Sequence, residues 1–291
     1  MGLIPTHLFD HERKGKASLP PLPAPPVTHL DWRDHNGNFV TPVRDQLPCG
    51  SCWAFATTAA LESNVLIAQN TPGIDLDLAE QVLLSCNNQN DRGYNTCAGG
   101  YLSDALMFFQ NYGLPEESCY SYFATNGFCP DACPDWQNST YKINSWSSLN
   151  HSVDQIKGAL FTYGPLVAGM VVFNDFKAYT GGIYSHVDNT IAGYHAVLIV
   201  GYDDAEQYFI CKNSWGTGWG EAGFFRIAYS EVTTTGLGFA YESYALIPYD
   251  AEADGRISGK ITDTDGIAIT SSVYLRVEDL FKWRCSCTLL A

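Results

Sequence analysis

The strongest constraint on this chain is a change of hydrophobic pattern near its middle. The first half repeats apolar residues at helical spacing. Residues 51–69 (SCWAFATTAALESNVLIAQ) do so throughout, with Ser51 able to cap the start and the turn Asn70-Thr71-Pro72-Gly73 ending the run. Further helices are predicted over residues 77–86 and 102–112, the latter stopped by Gly113. The second half consists of short segments rich in β-branched and aromatic residues, at 166–173, 195–202, 208–212 and 223–228, with Gly-rich turns between them. Helices followed by strands define an α+β protein with two lobes, helical over 31–150 and β over 151–249.

Two flanking pieces differ from this body. Residues 1–30 join a charged stretch (HERKGK) to a proline-rich one (LPPLPAPPV), which favours an extended path. They read as a leader, too short to fold alone but long enough to cross a cleft. At the other end, residues 250–291 carry two alternating segments around Asp263-Thr264-Asp265-Gly266, a hairpin signal. This piece resembles the opening of a small β-sandwich of the carboxypeptidase-regulatory type, and it is too short to complete one.

Composition excludes several functions. A net charge of -15 repels the phosphates of nucleic acid and of anionic lipid, so neither is an expected partner. No apolar run approaches the ~18 residues of a membrane span. Histidines 7, 11, 29, 35, 151 and 186 show no metal-ligand spacing, and no metal or cofactor is expected. The ten cysteines are unevenly spread, seven of them between positions 49 and 133. That density suggests disulfides and an oxidising compartment, whereas buried thiols are the plainer reading. The pattern points to a secreted or periplasmic protein, although residues 1–10 do not read as a secretion signal.

One cysteine stands where chemistry is expected. A cysteine nucleophile works as thiolate, and a helix start favours the anion through its free N–H groups and dipole. Cys52 occupies the first turn of the 51–69 helix, within Cys49-Gly50-Ser51-Cys52-Trp53. His195 lies 143 positions further on. Asn213 follows in Lys212-Asn213-Ser214-Trp215-Gly216-Thr217-Gly218-Trp219-Gly220. These three motifs, in this order, resemble the papain-like, cathepsin-type cysteine proteases, whose cysteine and histidine lie roughly 130–150 residues apart. The similarity runs from Asp31-Trp32-Arg33 to about Pro248. The short leader and the sandwich-like tail suggest a bacterial member.

The resemblance implies a papain-like two-lobed fold, with a helical left lobe, a β-barrel-like right lobe and the active-site cleft between them. It implies a cysteine endopeptidase working through a thiolate–imidazolium pair and an acyl-enzyme. Cys52 would be the nucleophile, His195 the base and later acid, and Asn213 the residue orienting the imidazole. Gln46 and the Cys52 N–H would form the oxyanion hole, and Trp215 would shield the histidine–asparagine bond. Gly99 and Gly100 would pair with an extended peptide. Tyr101, Gly169 and Ala196 would line the pocket for the residue two before the cut, with Tyr241 and Tyr244 near its floor. Such a pocket favours apolar or aromatic side chains. Substrates would be proteins or peptides, and the enzyme a monomer.

The same resemblance implies the pairs Cys49–Cys97 and Cys86–Cys129, with Cys119–Cys133 left by elimination. The family's bridge in the β lobe has no cysteines here, so packing must hold that lobe. Cys211 reads as a buried free thiol, and Cys285 and Cys287 remain unassigned. Leu47-Pro48 and Tyr194 depart from papain, which has Gly-Ser after the oxyanion glutamine and an acidic residue before the histidine. No counterpart of the histidine-bearing loop of cathepsin B is visible, which favours endopeptidase action. Three other readings fit less well. A redox dithiol at Cys49 and Cys52 would want a βαβ context. A catalytically dead scaffold or an amidase is the remaining rival. The leader is expected to cover the active site and keep the enzyme latent, against the plain alternative of a disordered tail.

Overall fold

The computed structural model describes residues 1–5, 22, 24–87, 95–232 and 238–248. The predicted hairpin around residues 263–266, Cys285 and Cys287 lie outside the described residues.

The helical lobe is built round α1, Cys52–Gln69. Fifteen of its eighteen residues are buried, including Thr57, Thr58, Glu62, Ser63 and Asn64. It is therefore an interior helix covered all round rather than an amphipathic surface one. Asn70 ends it in the left-handed conformation (φ 50°), its N–H reaching the Leu66 and Ile67 carbonyls. The start differs from expectation. Ser51 makes no capping bond, and its hydroxyl instead meets the Tyr122 hydroxyl at 2.7 Å. Helix α2 spans Glu80–Cys86 and α3 Leu102–Asn111. α2 begins later than predicted because Leu78 is taken up in a bridge to Glu116, and the Asp77 carbonyl accepts the Glu117 N–H. Three disulfides staple this lobe: Cys49–Cys97, Cys86–Cys129 and Cys119–Cys133. The first two close loops of 48 and 43 residues. Each of these is worth on the order of 3–4 kcal/mol by restricting the unfolded chain.

The β lobe is a single sheet. Its strands are β1 His29–Asp31, β2 Ile143–Ser148, β3 Leu166–Phe173, β4 Ile183–Tyr184, β5 Ile191–Asp203, β6 Tyr208–Lys212, β7 Phe224–Ala228 and β8 Phe239–Pro248. They run in the order β2-β8-β3-β5-β6-β7-β4, with β1 added to β5. The path is open among the described residues, with β2 and β4 at its ends. A fourth helix, α4 (Val153–Tyr163), was not predicted; Ser152 caps it by accepting the Gln155 N–H. The last-turn Leu160 carbonyl accepts Trp32 Nε1, which ties α4 to the start of the folded body.

Among the described residues the β lobe has no disulfide. Packing is assisted there by a polar clamp. Glu231 accepts from Ser185 Oγ (2.6 Å), from the His186 N–H (3.2 Å) and from His186 Nδ1 (2.7 Å). His186 Nε2 faces Asn189 Oδ1, and the ring stacks on Phe173 at 4.1 Å. Both ring nitrogens face acceptors, so the imidazolium is favoured. Its pKa is raised by the Glu231 hydrogen bond first, with Asp175 adding to the effect. A raised folded-state value stabilises below the ordinary pKa of about 6.5, and that gain is lost as pH climbs through the raised value. The melting-temperature gap between wild type and His186→Gln is therefore expected to be widest near about pH 5.5, and small because the pair is partly exposed. It should shrink by pH ~8. A gap that ignores pH would rule out an ionic clamp.

Candidate active site

Cys52 opens α1, where backbone N–H groups without helical partners gather. Its side chain is fully buried, and the N–H groups of Ala196, Gly2 and Trp53 point at its sulfur. Ala196 follows His195 on β5, so the helical lobe and the sheet meet at this sulfur. The strand is held in register by β3, with Met170 opposite His195 and Gly169 opposite Ala196. His195 Nε2 bonds Asn213 Oδ1 at 2.7 Å, and that oxygen also accepts the Ser214 N–H at 2.8 Å. The other ring nitrogen, Nδ1, has no hydrogen-bond partner among the described residues. Trp215 lies on the imidazole with centroids 4.7 Å apart and is itself backed by Trp219 and Phe176.

Gln46 is fixed on three sides. Its N–H donates to the Ser214 carbonyl, its Oε1 accepts from Ser214 Oγ (2.8 Å), and its Nε2 donates to the Cys49 carbonyl (2.8 Å). An amide nitrogen carries two hydrogens, so one remains available. Leu47, next in the chain, adopts φ 53°, a left-handed conformation uncommon for a leucine.

The cleft above the sulfur holds the first residues of the chain. Leu3 bridges Gly100 in a parallel sense: the Gly100 N–H donates to the Gly2 carbonyl and the Ile4 N–H to the Gly100 carbonyl, both at 2.9 Å. The Gly2 N–H points at Cys52 Sγ from 3.3 Å. Position 2 admits only glycine, since a Cβ there would stand 1.8 Å from the Gly50 carbonyl oxygen. Leu3 is 5% exposed, and its Cδ2 lies against Gly169. A methyl on Gly169 would meet Leu3 Cδ2 at 2.9 Å, Glu242 Cγ at 2.8 Å and Tyr241 Cζ at 3.0 Å. That glycine therefore leaves room for the leucine, and Tyr241 and Glu242 stand beside it. Gly99 also borders this segment, and Tyr194 packs edge-on to Tyr241 at 6.1 Å. Tyr101 is buried at the start of α3. Tyr244 is buried and donates its hydroxyl to Glu242 Oε2 at 3.4 Å.

The electrostatics follow from this cover. Burial pushes the Cys52 thiol up, against the lowering effect of the N–H groups on its sulfur. Burial also takes His195 down to about 3, opposed by the Asn213 hydrogen bond. With the cleft occupied, both partners are therefore neutral.

Sequence reasoning brought forward Cys52, His195, Asn213, Gln46, Gly100, Gly169, Ala196 and Trp215, and the fold gathers them at this cleft. It missed Gly2, Leu3, Ser214, Tyr122 and Glu242. Gly2 and Leu3 had a trace as members of the leader, and Ser214 as a member of the Lys212–Gly220 block, though its bond to Gln46 spans 168 residues; Tyr122 reaches Gln46 and Ser51 from more than 70 residues away.

Comparison with known proteins gives the family. The sequence matches the family described as papain family cysteine protease over residues 26–244. It is 35% identical over 210 residues to cathepsin B-like CP3 of Giardia intestinalis, covering 68% of each chain. It is 34% identical over 212 residues to a cathepsin L-like proteinase of Fasciola hepatica, covering 72% of this chain and 62% of that one. Among solved structures it resembles a digestive procathepsin L2 proteinase from Tenebrio molitor larval midgut. That match has a TM-score of 0.65 and 31% identity and covers 76% of this chain and 68% of the other. The protein belongs to the papain family of cysteine proteases, with that family's two-lobed α+β fold. Its three disulfides and its cathepsin relatives fit a non-cytosolic location.

Neutral partners make a slow nucleophile. In the full chain, alkylation of Cys52 by iodoacetamide should rise with pH only above the ordinary thiol range of about 8.5. A chain starting at Val27 should alkylate readily in mildly acidic buffer. Identical pH–rate profiles would show that residues 1–5 do not control the thiol.

Proposed function

We propose that the protein is a cysteine endopeptidase whose own leader holds it latent. The observation that carries the reading is the meeting at one sulfur of the α1 start and the Ala196 N–H, the residue next to His195, whose Nε2 is engaged by Asn213. Once the cleft is open, His195 Nδ1 takes the Cys52 proton. The thiolate attacks a substrate carbonyl, and the oxyanion is received by the Cys52 N–H and the available Gln46 N–H. Nδ1 then passes its proton to the leaving amine, and water hydrolyses the acyl-enzyme. Trp215 keeps water off the His195–Asn213 bond. Protein or peptide chains add to Gly99 and Gly100 as an extra strand, and the enzyme acts as a monomer. Residues 31–249 form the peptidase domain, with a secreted or periplasmic location. Action within chains is the expectation because no counterpart of the cathepsin B histidine loop is visible in the sequence.

Latency is supported by the way residues 1–5 sit. A peptide unit is planar, and attack on its carbonyl carbon comes from above that plane. The Gly2 N–H aims at the sulfur from 3.3 Å, so the sulfur lies on the N–H side of the Met1–Gly2 peptide. That bond occupies the nucleophile without offering it an electrophile. Being part of the same chain, the leader competes at high effective concentration. A chain starting at Val27 is expected to hydrolyse unfolded protein at least about tenfold faster than the full chain. The full chain with Gly2→Val, which cannot approach Gly50, should match it. Equal activity of all three forms rejects latency, and silence of all three, with Cys52→Ala as control, rejects the protease.

The pocket that receives Leu3 supports an apolar or aromatic preference two residues before the cut. Glu242 adds a carboxylate to its wall, which allows a basic side chain there as well. With dipeptide substrates, Glu242→Gln should lower the ratio of arginine to leucine use at that position by about tenfold. An unchanged ratio would remove Glu242 from the pocket's specificity.

A further inference from the structure

Tyr122 lies outside every motif of the sequence, yet its hydroxyl reaches both ends of the loop that leads into the active site. It donates to the Gln46 carbonyl at 2.7 Å and meets Ser51 Oγ at 2.7 Å. Between those two contacts lie Leu47 with its left-handed φ of 53°, Pro48, and Cys49 with its bond to Cys97. Gln46 supplies the side-chain amide at one end, and Ser51 precedes the nucleophile at the other. A strained residue persists only where its surroundings over-determine it. The Asp45 carboxylate fixes the Leu47 N–H at 2.8 Å, and Tyr122 fixes the loop ends.

Tyr122 is itself anchored. Its ring packs edge-on against Phe55, one turn into α1, at 4.8 Å and 89°. Its N–H donates to Glu117 Oε1 at 2.5 Å. The Glu117 N–H in turn donates to the Asp77 carbonyl, and the Cys119–Cys133 disulfide follows two residues later. The hydroxyl therefore rests on a stapled part of the helical lobe rather than on a free loop. Burial and the nearby acidic groups push the phenol up to about 12, so it remains a neutral donor through the physiological range.

We infer that Tyr122 is a positioning residue for the oxyanion hole: it fixes the span of the loop between the Gln46 amide and the Cys52 N–H. The inference rests on the protease reading above. A donor pair set at the wrong separation loses part of its grip on the tetrahedral oxygen while leaving the ground-state substrate contacts intact. The Tyr122→Phe change keeps the ring on Phe55 and removes only the hydroxyl.

The test uses the full chain and its Gly2→Val form, so that an active reference exists whether or not the leader inhibits. In Tyr122→Phe, kcat should fall about tenfold with KM within about twofold. Affinity for a peptide aldehyde, whose hemithioacetal oxygen takes the tetrahedral position, should fall by the same factor. Iodoacetamide alkylation of Cys52, which needs no oxyanion hole, should be unchanged. The double variant Gln46→Ala with Tyr122→Phe should be no slower than Gln46→Ala alone, because the hydroxyl acts through that amide. A merely structural role predicts additive losses, with alkylation and aldehyde binding falling together, and would overturn the inference. So would a Tyr122→Phe enzyme with unchanged kcat. Should Tyr122→Phe fail to fold, Ser51→Ala removes one of the two contacts and carries the same readouts, with a smaller loss expected. If the reference proteins hydrolyse nothing, the protease reading itself falls; if they are active and only the Tyr122 predictions fail, that reading survives.

Discussion

A buried chain of polar contacts joins the two halves of the molecule. Lys212 Nζ donates to Thr41 Oγ1 at 2.9 Å, and Thr41 donates to Glu62 Oε2, whose other oxygen takes the Leu78 N–H at 3.0 Å. Glu62 stands on α1 ten residues after Cys52, and Lys212 stands on β6 directly before Asn213. The nucleophile's helix and the asparagine's strand are thus tied through Thr41. Both ionisable groups are fully enclosed, and burial pushes Glu62 up and Lys212 down, each opposed by the charge of the other. Neither charge is tolerable alone: removing one partner of such a pair typically costs about 3–5 kcal/mol. What the arrangement secures is the spacing between two pieces of backbone that belong to different lobes.

That spacing sets a site whose electrostatics depend on its cover. Covered by residues 1–5, Cys52 and His195 are both buried and neutral. The N–H groups of Ala196 and Trp53, the helix dipole and the unpartnered Nδ1 of His195 all remain in place beneath the cover. Removing it restores water to the site and lifts the desolvation that opposes charge. The leader's contacts are main-chain pairing with Gly100, one buried leucine and the Gly2 N–H on the sulfur.

Much of this was readable in the sequence, and the limits have physical causes. Cys49-Gly50-Ser51-Cys52-Trp53 and the block from Lys212 to Gly220 are local patterns, so the helix start and the asparagine could be located directly. Helix α4 carried its own signal, Ser152 with Gln155 three positions on, which went unread among strand-like neighbours. Ser51 looked like a cap because serine before an apolar run usually is one. Tyr122, 71 residues away in sequence, claims its hydroxyl instead, and no local rule could have anticipated that. The clamp of His186 on Glu231 was hidden for the same reason, its partners lying 45 residues apart.

The sequence by itself pointed to the two lobes and to Cys52, His195 and Asn213 as the candidate site, since periodicity and short motifs are properties of neighbouring residues. Tertiary structure alone decided which groups are dry, that the Glu242 side chain stands beside Gly169, that the Tyr122 hydroxyl meets both Gln46 and Ser51, and that residues 1–5 lie against Gly100 and the Cys52 sulfur. Those outcomes depend on distances between remote segments, and a string of residues does not contain them until the chain has closed on itself.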